Sequence, residues 1–308
     1  MSKIVLLFSG QGAQKVGMGK DWAESSALAR SMVHRADEAL GYSISDTMFD
    51  GPDEELTKTS CCQPALYLHG MIALALLKER LPNFEPVAAA GLSLGEFTAH
   101  AAAGTFSFED GLRIVARRGA FMEEACNATQ GAMAAMIGGD EAQVRALAAA
   151  ADVDVANLNA PGQIVLSGTV AGIDAAVAQA KEFGVRRAIK LNVAGAYHSR
   201  LMQSAQDQLT AELAHVAMLS PSIPVVCNFG ACVVSQPAEI RSMLENQVTG
   251  SVRWTESIQA LIALGHRTFL ELGPGKILAG LVGKIDKETT VYSVEDLASM
   301  EAASEALS

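Results

Sequence analysis

The chain has 308 residues, with 34 acidic side chains against 23 Lys plus Arg and a formal net charge of −11. That length suits one large domain or one domain with a smaller insertion, and the acidic balance excludes a broad nucleic-acid-binding face, which phosphate contacts require to be basic. Half of the residues are hydrophobic and 19% are charged, which excludes disorder as the dominant state, while five cysteines without paired CxxC spacing exclude a disulfide scaffold or zinc ribbon.

Residues 3–8 predict a short buried parallel strand, cut off by Ser9-Gly10-Gln11-Gly12 without the cleavage site of a secretory signal. Residues 21–40 predict a helix closed by Gly41, and residues 63–81 a second one stopped by Pro82. Within it, the apolar run 71–77 is far short of the ~20 residues that span a bilayer, so a cytoplasmic protein without a membrane partner is expected. Residues 86–90 predict another strand, Gly91-Leu92-Ser93-Leu94-Gly95 a sharp turn, and residues 94–103 a helix ending at Gly104. Strand, tight turn and helix in repetition is the pattern of a parallel α/β sheet.

From about residue 129 the order changes. A strand over 132–137, a helix over 140–151 with Asp140 as N-cap, strands over 153–158 and 164–167, a helix over 170–183 and a strand over 185–193 follow in turn. This βαββαβ order is the ferredoxin-like unit. It predicts residues 129–195 as a small subdomain inserted into a larger α/β domain of residues 1–128 and 196–308, where strands 223–227 and 268–272 flank a helix over 255–264.

Gly91 to Gly95 matches G-x-S-x-G, in which glycines at both flanks let the backbone close so tightly that a serine hydroxyl stands at the tip of a strand-to-helix turn. An ordinary βα turn fits the same five residues. Serine needs a base. Of the six histidines, His34 and His69 fall in helical stretches ahead of the turn, His100 lies too far down the following helix, and His215 and His266 sit near helix ends and are expected to face solvent. His198 follows Gly195-Ala196-Tyr197, where the chain leaves the small unit, and domain junctions form clefts; a structural role fits it equally well. Gly10-Gln11-Gly12 frees backbone N–H groups to face a cavity, and no phosphate-binding glycine spacing is present. Arg117-Arg118 reads by itself as a surface pair on an amphipathic helix.

Seven segments occur together in one order: Phe8 to Gln14, Gly91 to Glu96, Arg118-Gly119 with Met122, Asn157 to Gln163, Gly195 to His198, Gln247 to Trp254 and Glu271 to Lys276. Together they closely resemble the malonyl-CoA:acyl-carrier-protein transacylases, the malonyltransferases of bacterial type II fatty acid synthesis, and the likeness covers the chain to about residue 295. The resemblance implies a hydrolase-like parallel-sheet core with an inserted ferredoxin-like subdomain. It also implies Ser93 as nucleophile, His198 as base, the Gln247 carbonyl in place of a triad aspartate, the backbone N–H groups of Gln11 and Leu94 as oxyanion hole, Arg118 on the malonyl carboxylate, and Asn159 and Gly162 along the CoA and pantetheine cleft. No metal or redox cofactor is expected. The chain departs from the family pattern at Leu92, where histidine is common, at Ser9, where proline is common, and at Tyr197, where phenylalanine is common.

The implied partners are malonyl-CoA and holo acyl carrier protein. An acidic carrier needs a local basic area on this acidic chain, and Arg186, Arg187 and Lys190 are the candidates, with Lys276 and Lys284 as alternatives. A serine esterase shares the elbow but brings an acidic triad member, and a docking module with a vestigial site is the non-enzymatic alternative.

Overall fold

The computed structural model describes residues 3–307, and its strands fall into two sheets. In chain order they are β1 (Ile4–Phe8), β2 (Ala88–Gly91), β3 (Gly131–Ile137), β4 (Asp154–Ala160), β5 (Gln163–Thr169), β6 (Arg187–Lys190), β7 (Val225–Val226), β8 (Thr268–Leu272) and β9 (Thr290–Val294). The larger sheet has the order β7-β2-β1-β8-β9 and is parallel throughout.

β1 is buried along its whole length because it lies at the centre of that sheet. Its side chains alternate between two cores. Leu6 and Phe8 pack with the helices Thr59–Arg80, Leu94–Ala102 and Phe108–Ala128, whereas Val5 and Leu7 pack with Trp254, Ile258, Leu278 and Leu281. A strand covered on both faces must be apolar at every position, which is why it reads as an unbroken run instead of an alternating one.

The smaller sheet is antiparallel, with the order β4-β5-β3-β6, the ferredoxin-like arrangement. Ala134, Met136, Ile164 and Leu166 on one face pack against the helices Glu141–Ala150 and Val170–Gln179. Met133, Ala156 and Val165 on the other face join the main core. The small sheet is also tied by backbone to the segment that enters the helix Trp254–Ala263: Leu158 N–H donates to the Val252 carbonyl (2.9 Å), and Val252 N–H to that of Ala156 (2.8 Å).

Several elements differ from the sequence expectation. Residues 21–40 form two helices, Lys20–Ser25 and Ala27–Leu40, because Ser26 turns extended and its side chain caps the second by accepting from Ala29 N–H. The helix expected over 63–81 begins at Thr59 and carries Pro64 inside it. The apolar run 71–77 is therefore the middle of a 22-residue helix that by length and composition could cross a membrane, yet most of it, from Thr59 to Leu77, is buried against other helices. The strand expected over 223–227 shrinks to Val225–Val226, and that over 185–193 to Arg187–Lys190. Helices Ile44–Asp50, Asp53–Thr57, Gln203–Leu213, Pro237–Asn246, Trp254–Ala263, Ile277–Ile285 and Leu297–Leu307, a 3-10 turn at Arg200–Met202 and β9 complete the chain.

Candidate active site

Ser93 stands between the end of β2 and the helix Leu94–Ala102 with φ 53° and ψ −104°, a conformation costly for a residue with a Cβ. The flanking glycines make the turn possible. A Cβ on Gly91 would lie 1.9 Å from the Gly95 carbonyl carbon, and one on Gly95 would lie 2.1 Å from the Phe8 carbonyl oxygen. Ser93 thus stands at the tip of a strained strand-to-helix turn that leaves no room for a side chain at either flanking glycine.

His198 is buried, and its Nε2 lies 2.7 Å from Ser93 Oγ. Its Nδ1 lies 2.8 Å from the Gln247 carbonyl oxygen. A carbonyl can only accept, so Nδ1 carries the proton and Nε2 presents its lone pair to the serine hydroxyl. Burial, helped by the Arg118 charge, lowers the His198 pKa to about 4. The imidazole is thus neutral and ready to accept a proton over the whole neutral range.

Arg118 is 1% exposed, so the surface-pair reading fails for it and holds only for Arg117, which lies over the Phe121 ring and faces Glu212. The helix Phe108–Ala128 turns Arg118 inward, where Nη1 donates to Gln63 Oε1 (2.7 Å) and Nη2 to Gln247 Oε1 (2.9 Å) and Ser93 Oγ (3.1 Å). The guanidinium also lies over the Phe97 ring. Burial lowers its pKa to about 10, which leaves it charged at neutral pH.

Gln11, Ser93, Leu94, Arg118, Asn159 and His198 line one cavity of about 530 Å³, whose far wall comes from Met133, Asn157 and Val165 of the small sheet. The backbone N–H groups of Gln11 and Leu94 find no acceptor among the described residues. Two expected site residues lie outside the lining. Gln247 is buried behind the wall, its carbonyl oxygen against His198 and its side-chain oxygen against Arg118. Gly162 sits at the β4–β5 turn with φ 71°, its carbonyl accepting from Gly138 N–H.

The other histidines stand apart from Ser93. His100 is buried beside Thr105, His69 packs on Trp22, and His34 and His215 are exposed. His266 is half-buried with Nδ1 shielded, not solvent-facing as expected. Three polar residues of the site had no role assigned from sequence: Gln63, Glu96 and Asn228. The signals were a glutamine inside an apolar helix, a glutamate one turn after the serine, and an asparagine just past a strand at the same sheet end as the elbow. Arg186, Arg187 and Lys190 are exposed at β6, and Lys190 is paired with Asp174 (2.6 Å). Lys276 is exposed, and Lys284 donates to Gln163 Oε1 (2.9 Å).

Known proteins place this geometry. The acyl transferase domain family matches residues 5–303. The chain is 42% identical over 312 residues to the malonyl CoA-acyl carrier protein transacylase of Bacillus subtilis (strain 168), covering 100% of this chain and 98% of that protein. The chain belongs to the malonyl CoA-acyl carrier protein transacylase family.

Solved members of the transacylase family superpose along its length. An acyl-carrier-protein S-malonyltransferase from Burkholderia pseudomallei 1710b gives a TM-score of 0.94 at 40% identity, covering 98% of this chain and 99% of that one. A malonyl-transacylase solved in complex with a type II polyketide acyl-carrier protein gives 0.95 at 33%, covering 99% and 100%. The chain is an acyltransferase with the transacylase fold, a parallel-sheet core with a small antiparallel subdomain.

Proposed function

We propose that the chain moves a malonyl group from malonyl-CoA to the phosphopantetheine thiol of acyl carrier protein through a malonyl ester on Ser93, in the cytoplasm, as a supply for fatty acid elongation. The observation that carries this reading is the meeting of His198 Nε2 (2.7 Å) and Arg118 Nη2 (3.1 Å) on the one Ser93 hydroxyl. The base and the cation address the two ends of a malonyl thioester. Residues 1–128 and 196–308 supply nucleophile and base, and the inserted residues 129–195 supply the facing wall.

In the first half-reaction Ser93 Oγ attacks the thioester carbonyl while its proton passes to His198 Nε2. The oxyanion is held by the Gln11 and Leu94 N–H groups, which have no internal acceptor to give up. Collapse breaks the C–S bond, and the CoA thiolate takes the proton from His198. In the second half the carrier thiol gives its proton to His198 and attacks the ester; the C–O bond breaks, and Ser93 regains its proton. Two neighbouring guanidinium N–H groups match a carboxylate, so an acetyl group, which lacks one, leaves Arg118 without that partner at a cost of about 1–3 kcal/mol.

A hydrolase triad would set a carboxylate on His198 Nδ1; here a neutral carbonyl takes that place. This makes a weaker base, suited to exchange between thioesters, whose thiolate leaving groups need little proton assistance. Incubation of the purified protein with malonyl-CoA and holo carrier protein tests the reading by intact-protein mass spectrometry. Malonyl adducts are expected on both proteins and on neither when Ser93 is alanine; an adduct that persists on Ser93→Ala overturns it.

A further inference from the structure

The strained peptide unit of Ser93 is gripped from both sides by side chains distant in sequence. Its N–H donates to Asn228 Oδ1 (2.6 Å), and its carbonyl accepts from Gln247 Nε2 (2.9 Å). Both grips end on a single atom. Glu96 Oε2 accepts from the Asn228 backbone N–H (2.9 Å) and from Gln247 Nε2 (2.6 Å). Asn228 is further fixed by donating from Nδ2 to the Gly91 carbonyl (2.8 Å), and Glu96 N–H itself reaches the Ser93 carbonyl (3.1 Å). Glu96 is fully buried and touches neither His198 nor the cavity.

We propose that Glu96 is a positioning residue whose Oε2 anchors the Asn228 and Gln247 clamps and so holds Ser93 in its strained, reactive conformation. The inference rests on the reading of Ser93 as the nucleophile. A non-glycine residue at φ 53° relaxes when its surroundings stop over-determining it, and relaxation here would swing Oγ away from His198 Nε2. A buried carboxylate is costly unless its hydrogen bonds are well used, and its use here is concentrated on the two clamps. Its other oxygen, Oε1, meets no nitrogen or oxygen donor among the described residues; ligand atoms of Glu96, His100 and Cys227 lie within 4.8 Å of one another, and the Cys227 thiol hydrogen-bonds to the Glu96 carboxylate. On this reading Glu96 acts as an acceptor at Oε2, a role that its neutral amide isostere can fill as well as the carboxylate.

That distinction sets the test. In Glu96→Gln the amide oxygen takes the place of Oε2 and the NH2 that of Oε1, so both clamps persist; in Glu96→Leu neither does. Reactivity of Ser93 is read with phenylmethanesulfonyl fluoride, a neutral probe that makes no use of Arg118, and with single-turnover malonylation, each on variants whose melting curves show a folded protein. Glu96→Leu is expected to slow both reactions by about 100-fold with a smaller change in half-saturating malonyl-CoA, and Glu96→Gln to stay within about fivefold of wild type. If Glu96→Leu does not fold, Asn228→Ala, which removes the grip on the Ser93 N–H together with the bond to the Gly91 carbonyl and leaves the Gln247 clamp in place, should slow sulfonylation about tenfold. A folded Glu96→Leu or, in its place, Asn228→Ala reacting at the wild-type rate with the neutral probe overturns the proposal, as does a Glu96→Gln as slow as Glu96→Leu. Wild-type protein that takes no malonyl group on Ser93 instead overturns the functional reading beneath it.

Discussion

His198 Nδ1 lies 2.8 Å from the carbonyl oxygen of Gln247, so the base is oriented by a neutral backbone group that cannot take its proton. The hydrogen bond fixes the tautomer, while burial and the Arg118 charge hold the imidazole pKa at about 4. A base works when unprotonated, so acylation should fail only as pH falls through the lowered value, not through the ordinary ~6.5 of histidine. Glu96 titrates higher, lifted by burial to about 7, but Oε2 already accepts two hydrogen bonds, so a proton added at Oε1 leaves both clamps in place. Single-turnover rates measured against pH should therefore be flat from about pH 8 to about pH 5.5 and fall below about pH 5. A midpoint near 6.5 would contradict this account of the base.

Arg118 is expected to decide between acyl groups. Its guanidinium is buried beside Ser93 Oγ and is positioned by the Gln63 and Gln247 side-chain oxygens. Arg118→Ala should lower the rate of malonyl transfer by about 100-fold or more and shift the malonyl-to-acetyl ratio toward acetyl by at least about tenfold. Competition between the two CoA esters, scored by mass on Ser93, measures the ratio. An unchanged ratio would remove the carboxylate clamp.

The elbow glycines should tolerate no side chain. A Cβ at Gly95 would sit 2.1 Å from the Phe8 carbonyl oxygen, and β1 is central in its sheet and buried on both faces, so the backbone has nowhere to move. Gly95→Ala should cost more than about 3 kcal/mol, read as a loss of folded protein in urea titration. Gly104, with positive φ but open space around its Cβ position, offers the contrast: Gly104→Ala should cost about 1 kcal/mol, from its backbone conformation alone.

Carrier docking should be sensitive to charge at β6. Arg186 and Arg187 are exposed there and neither forms an ion pair among the described residues, whereas Lys190 is held by Asp174. Arg187→Glu should raise the KM for acyl carrier protein several-fold, more so at low salt, and leave that for malonyl-CoA unchanged. Equal carrier KM values for the two proteins would move the docking surface elsewhere, with Lys276 and Lys284 next to be tested.

Sequence by itself determined the layered α/β grammar, the ferredoxin-like order of the small unit and the elbow, because each is local: an apolar run for a strand buried on both faces, Asp140 capping its helix, glycines where a turn admits no Cβ. Motif order carried Ser93, His198 and Arg118 as a set. Taken alone, Arg118 read as a surface residue, since helix periodicity says which residues share a face but not what that face meets. Only the tertiary structure turned that face onto Ser93 and brought Gln63, Asn228 and Gln247 to the same point. It also began Thr59–Arg80 four residues before the start expected at residue 63, with Pro64 carried inside the helix. Hydrogen bonds between residues more than a hundred positions apart, such as Asn228 to Ser93 and Gln247 to Glu96, leave no periodic trace in a chain; they exist only once the sheet has placed its strand ends together.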